Sequence, residues 1–188
     1  MRRRGKPPIT TRWVDVNKGD EENPNYRSRS VVRQLKAHAH SGTNYFAPAP
    51  PLEALRTIVS LAATPARGWK PDWNPSSETQ TQLSFVDVSK AYLNAKVDLE
   101  AHPTFVELPR EDNDHTTMCG DLWKHMYGTR MAADGWSEEC STMLVKHAFS
   151  QGIACPNVPF HSEKRIACSV HGGDFTSSGS KLPLDWFE

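Results

Sequence analysis

Residues 83–95 read LSFVDVSKAYLNA, and the fold turns on how this stretch is read. Phe85, Val86 and Val88 are strand formers, and Asp87 is the one charge among them. A carboxylate inside an apolar strand is costly to desolvate unless a partner meets it. Two readings follow. Asp87 closes the strand and faces solvent, or it is a carboxylate held rigidly for a metal ion, with Tyr92 five residues on, just past the turn.

Composition narrows the setting. A chain of 188 residues makes one domain, with at most a small lobe added. With 37% hydrophobic and 23% charged residues, the core it can build is modest. No apolar run approaches the ~18 residues of a membrane span, so no membrane partner is expected. Arg2, Arg3, Arg4 and Lys6 precede no apolar region, which argues against a signal peptide and for an intracellular protein of cytoplasm or nucleus. Cys119, Cys140, Cys155 and Cys168 lie far apart with no C-x-x-C pair. They are expected as reduced thiols rather than zinc ligands or disulfides. His38 and His40 flank one residue but lack a second ligand pair, so no metal is expected there.

The formal net charge is zero, yet it is unevenly placed. Residues 1–40 hold ten Lys/Arg against four Asp/Glu, and residues 41–188 hold twelve against eighteen. A basic first lobe suits a phosphate-rich partner, whereas residues 1–10 read as a solvated, disordered arm.

Residues 11–16 (TRWVDV) alternate as a short strand, 17–25 (NKGDEENPN) mark a turn, and 26–35 (YRSRSVVRQL) return with Arg27 and Arg29 on one face. A basic β-hairpin of this kind would grip phosphate, since the arginine fork matches phosphate oxygens. Residues 37–50 read as a loop. Behind Pro51, the residues Leu52, Leu55, Val59 and Ala62 fall at helical spacing, so a helix follows that packs on a sheet and carries no chemistry. Residues 64–80, rich in proline and polar groups, read as a long loop.

Beyond the opening stretch, 97–103 form a turn, 104–108 a short strand and 110–117 an acidic loop. Asp112 and Asp114 lack the glycine and closing glutamate of a calcium loop. A helix is expected over 132–147, with Trp136, Cys140, Met143, Leu144 and His147 on one face; Gly135 weakens its first turn by about 1 kcal/mol. Residues 158–161 and 166–171 read as strands joined by the polar turn 162–165. Gly172 and Gly173 then permit a tight turn that holds up Asp174. The final LPLDWFE is apolar and aromatic, which suggests an incomplete domain.

In order, FVDVSKAYLNA, FVELP, MYGTRMAADGW and VHGGDF closely resemble the reverse transcriptase domain of copia-type LTR retrotransposon polyproteins, and the upstream WVDVNKG and NYRSRSVV resemble that family's fingers segment. The resemblance covers about residues 12–188. It implies an α+β fold: a polymerase-type palm of mostly antiparallel strands backed by two helices, preceded by a partial fingers hairpin, with the thumb absent. Fingers would occupy about residues 11–50 and palm about 51–188. It implies nucleotidyl transfer with Mg2+, an RNA template, a DNA primer and deoxynucleotides. Asp87 matches the metal-binding aspartate of the first palm motif, with the Val88 carbonyl as a backbone ligand. Tyr92 matches the bulky residue that excludes a ribose 2′-hydroxyl. Arg27 and Arg29 resemble the fingers residues that hold the triphosphate. Tyr127, Gly128 and Arg130 match a Y-G-x-[KR] segment beside the nucleotide; Met131 replaces the usual glutamine.

One departure bears on chemistry. The family places two adjacent aspartates in the hairpin turn; here the first is Gly173 and only Asp174 remains. The resemblance makes the missing aspartate a metal ligand shared with Asp87. Losing such a ligand costs several kcal/mol of transition-state stabilisation, so an inactive fragment is expected. The competing expectations are a non-catalytic nucleic-acid-binding remnant and a pseudogene product with no selected role.

Overall fold

The computed structural model describes residues 7–34, 49–64 and 80–188. The readings made for residues 1–6, for 35–48 with His38 and His40, and for 65–79 lie outside the described residues. Among the described residues the chain runs β1 (Thr11–Asn17), β2 (Tyr26–Val32), α1 (Leu52–Ala63), β3 (Gln82–Asp87), a single 3-10 turn (Ala91–Asn94), β4 (Phe105–Glu107), β5 (Cys119–Asp121), α2 (Ala132–Lys146), β6 (Phe160–His161), β7 (Ile166–His171), β8 (Asp174–Gly179) and α3 (Lys181–Phe187). The fold is α+β, and all these strands pair antiparallel, as expected. No helix among the described residues is long and apolar enough to cross a membrane.

The chain divides into two compact units: Met1–Phe46 with Tyr92–Trp136, and Ala47–Ala91 with Ser137–Glu188. In the first unit β1 and β2 form the expected hairpin, with Val14 opposite Arg29 and Val16 opposite Arg27. Its turn is tied by side chains. Asn17 Oδ1 accepts from the N–H groups of Gly19 (3.0 Å) and Asn25 (2.8 Å), and Asp20 Oδ1 accepts from Asn23 N–H. This is the backbone-mimicking chemistry that makes Asn and Asp turn residues. β4 pairs with β5, and Ile9 adds to the other edge through Ile9 N–H to Phe105 O (2.8 Å) and Glu107 N–H to Ile9 O (2.9 Å). The turn at 97–103 is held by Asp98, whose Oδ1 accepts from the N–H groups of Glu100 and Ala101; these bonds lower its pKa. His125 is buried, and its backbone N–H donates to Ala95 O at 3.0 Å. Gly135 lies directly over its ring: a Cβ there would stand 2.5 Å from His125 Nε2.

The second unit is built on a four-stranded sheet of order β3-β8-β7-β6. Register sorts its residues into two faces. Rows such as Ser84–Ser177–Cys168 and Val86–Phe175–Val170 lie on one face, where Ser177 and Cys168 are fully buried and Ser177 Oγ donates to Cys168 Sγ at 3.0 Å, while Ser169 and Ser178 on the other face are buried too. α1 packs against β3, β7 and β8. Its buried centre is Ile58, with Ala54, Leu55 and Ala62 half-buried beside it, whereas Leu52 (53% exposed) and Val59 (40%) turn outward. The expected stripe through Leu52 and Val59 is therefore corrected. Apolar residues surround this helix, so spacing alone did not choose a face, and small Ala54 and Ala62 let Ile58 approach the sheet.

On α2 the expected face is buried at Trp136, Cys140 and Leu144, while Met143 and His147 are exposed. All four cysteines are free, and burial pushes the Cys140 and Cys168 thiols up to about 11. Two elements were not foreseen. β5 contains Gly120, a poor strand former, and exists through its pairing with β4. α3 carries Pro183 in its first turn, where no intrahelical donor is needed, and packs Leu184 over Gly179 and Phe187 against Phe149 and Phe175.

Candidate functional site

Asp87 ends β3 and pairs directly with Asp174, the first residue of β8, which in turn pairs with His171, the last of β7. Directly opposed residues point to one face. Asp87, Asp174 and His171 therefore form a row across three strands on the face opposite Phe175 and Cys168, and all three are exposed. The carboxylate that looked costly inside an apolar strand pays no burial penalty, because it stands at the strand end in water.

The β7–β8 hairpin turns on two residues. Gly172 has φ 60°, the left-handed region that favours glycine, while Gly173 lies outside that region. Gly173 O accepts from Val88 N–H at 2.8 Å, which ties the turn to the end of β3. A Cβ on residue 173 would stand 3.1 Å from Val88 O, 3.2 Å from Ala91 Cβ and 3.5 Å from Asp87 Oδ1. Any side chain at 173 thus starts toward Asp87 and the Val88 carbonyl.

In the first unit, Tyr92 sits half-buried on the 3-10 turn, where its ring meets Tyr127 edge-on with centroids 5.1 Å apart and planes at 60°. The Arg29 guanidinium carbon lies 5.8 Å from the Tyr127 centroid. Arg27 stands exposed two residues away on the same hairpin face. Tyr127 O accepts from Val32 N–H at 2.8 Å, and Arg130 N–H donates to Gln34 Oε1 at 2.8 Å, so both strap the 127–130 segment to the end of β2. Gly128 makes this possible. Its φ is 87°, and a Cβ there would fall 2.0 Å from Val32 O.

The profile of one family, Reverse transcriptase (RNA-dependent DNA polymerase), matches residues 2–181. The chain belongs to the reverse transcriptase family. Searches of curated proteins and of solved structures found no match.

Reverse transcriptases generally use Mg2+, a hard ion that wants several oxygen ligands in near-octahedral array. The donors available at the carboxylate row are Asp87, Asp174 and the Val88 carbonyl. Among the described residues no group of three or more His, Cys, Asp or Glu is arranged to hold a metal ion. Two carboxylates and one carbonyl fall short of such an array, and a side chain at 173 would start 3.5 Å from Asp87 Oδ1. Sequence reasoning placed Tyr127 beside the nucleotide but foresaw neither its ring's contacts with Tyr92 and Arg29 nor the place of His171. The Y-G pair of the reverse transcriptase motif and the strand alternation before the hairpin were the signals for them.

Proposed function

We propose that this chain is the RNA-directed DNA polymerase domain of a copia-type LTR retrotransposon, disabled in its chemistry at Gly173. The family match over residues 2–181 and the order of the four motifs support the lineage. One observation carries the loss of activity: residue 173 faces Asp87 and the Val88 carbonyl, and it brings no side chain. In this reading Asp87, Asp174 and the Val88 carbonyl are the surviving metal-site groups, Tyr92 selects the sugar, and Arg27, Arg29 and Arg130 serve the nucleotide. Template RNA, primer DNA and deoxynucleotides are the partners, and Mg2+ is the ion that the site holds poorly.

Primer extension on an RNA template, with magnesium and deoxynucleotides, tests this directly. The parent chain is expected to extend no primer and Gly173→Asp to gain extension. A parent chain that extends as well as the variant refutes the proposed inactivity.

A second reading is a non-catalytic nucleic-acid-binding remnant. It is favoured by the exposed Arg27 and Arg29 on one hairpin face, joined there by Arg12 opposite Val31. Its binding would be sequence-independent and salt-sensitive. Binding of an RNA–DNA hybrid that is unchanged between low and high salt would exclude it.

A further inference from the structure

Tyr127 touches both groups to which the proposed function gives the incoming nucleotide. Its ring packs edge-on against Tyr92 at 5.1 Å, and the Arg29 guanidinium lies 5.8 Å from its centroid. Both contacts lie within the first unit. The ring does not float. The Tyr127 carbonyl is bonded to Val32 N–H, three residues along β2 from Arg29, and Gly128 folds onto Val32 in a way no other residue permits. One strand thus carries both the cation over the ring and the anchor of the ring's backbone.

Edge-to-face aromatic pairs and cation–π contacts each fix geometry at modest energy. A tyrosine that must exclude a single oxygen atom, and an arginine that must meet a phosphate, both discriminate better when already ordered, because binding then spends nothing on ordering them. We infer that Tyr127 is the positioning residue that holds Tyr92 and Arg29 in place, so that sugar selection and triphosphate capture both depend on its ring. The ligand class is a deoxynucleoside triphosphate. The inference rests on the reading of Tyr92 and Arg29 as nucleotide-binding groups; Tyr127 itself need not touch the nucleotide.

Equilibrium binding of dATP, ATP and dAMP to the full chain in magnesium buffer tests it without any need for catalysis. Tyr127→Phe keeps the ring and should keep both preferences of the parent, for deoxyribose over ribose and for triphosphate over monophosphate. Tyr127→Leu should lose about threefold to tenfold of each preference, the size of one such ring contact. Tyr92→Ala should lose only the sugar preference and Arg29→Gln only the triphosphate preference. Tyr127→Met, ringless and flexible, guards against a folding defect particular to leucine and should behave as Tyr127→Leu. A folded ringless variant with either preference intact overturns the inference while leaving the proposed function standing. If both ringless variants unfold, Tyr127 is a core residue only and the inference is equally overturned. A parent chain that binds no dATP overturns the inference together with the nucleotide-binding part of the proposed function.

Discussion

Gly173 presents to Asp87 the side on which a side chain would begin: a Cβ built there stands 3.5 Å from Asp87 Oδ1. An aspartate at 173 would enter a site that already holds a carboxylate, and like charges at that range repel. In chelator, Gly173→Asp should therefore be less stable than the parent by about 1 kcal/mol, which includes the few tenths of an ångström that Val88 O must yield. Magnesium at about ten times its dissociation constant should return about 1.4 kcal/mol to the variant and leave the parent's melting temperature unchanged. Thermal melts in EDTA and in magnesium measure both. An equal magnesium shift in the parent would mean that its donors already suffice.

Sugar selection can be read once polymerisation is restored. In the Gly173→Asp background, Tyr92→Ala should raise ribonucleotide incorporation relative to deoxynucleotide by about tenfold to a hundredfold. Unchanged selectivity in single-nucleotide extension would remove the gate role from Tyr92.

The positive-φ glycines should differ sharply in cost. At Gly128 an alanine meets both a left-handed backbone and Val32 O, so Gly128→Ala should lose about 2 kcal/mol or more of the first unit's stability. At Gly172 no atom lies within 4 Å of the Cβ position, and Gly172→Ala should cost only the backbone term, about 1 kcal/mol. Urea titrations of the two variants compare them. Equal losses would contradict the close approach of residue 128 to β2.

His125 supplies a pH dependence. Burial lowers its pKa below 6.5, and Asp134 pulls it partly back. The unfolded chain takes up the proton near the ordinary value while the folded chain resists it. The His125 contribution is thus fully present above about pH 6.5 and is lost as pH falls from there toward the lowered folded value. The urea midpoint should drop between pH 7.5 and 5.5, and His125→Gln should flatten that drop. Gly135→Ala should destabilise at every pH by about 1–3 kcal/mol, because its methyl group would collide with the imidazole.

The thiols should separate into two classes. Cys140 and Cys168 are buried, and burial pushes their thiols up to about 11, whereas Cys119 and Cys155 are half-buried. Iodoacetamide at pH 8 should label Cys119 and Cys155 in the native chain and reach the other two only on unfolding. Mass mapping of the labelled peptides decides it.

The strands and helices with strong local signals were legible in the sequence. The β1–β2 hairpin announced itself through alternation and an Asn/Gly/Pro turn, and α2 through Trp136, Cys140 and Leu144. The α1 face was not legible, because its apolar residues surround the axis and only tertiary packing singles out Ile58. β5 and α3 were missed for a similar reason: Gly120 and Pro183 argue locally against the structures that pairing and packing impose. At the candidate site, Asp87 drew notice as a lone charge in a strand, but its row with Asp174 and His171 depends on a register that no local pattern prints. The contact of Tyr127 with Tyr92 joins residues far apart in the chain, and no spacing rule reaches across them.

The two turn glycines of β7–β8 are unequal in a way that bears on heredity. Gly172 is demanded by its backbone angle, so almost any mutation there harms the hairpin. Gly173 is demanded by nothing in the turn, and glycine and aspartate codons can differ at the second base alone. The hairpin therefore admits a carboxylate at 173 through one base change, at the cost of a small shift of Val88 O rather than a new turn.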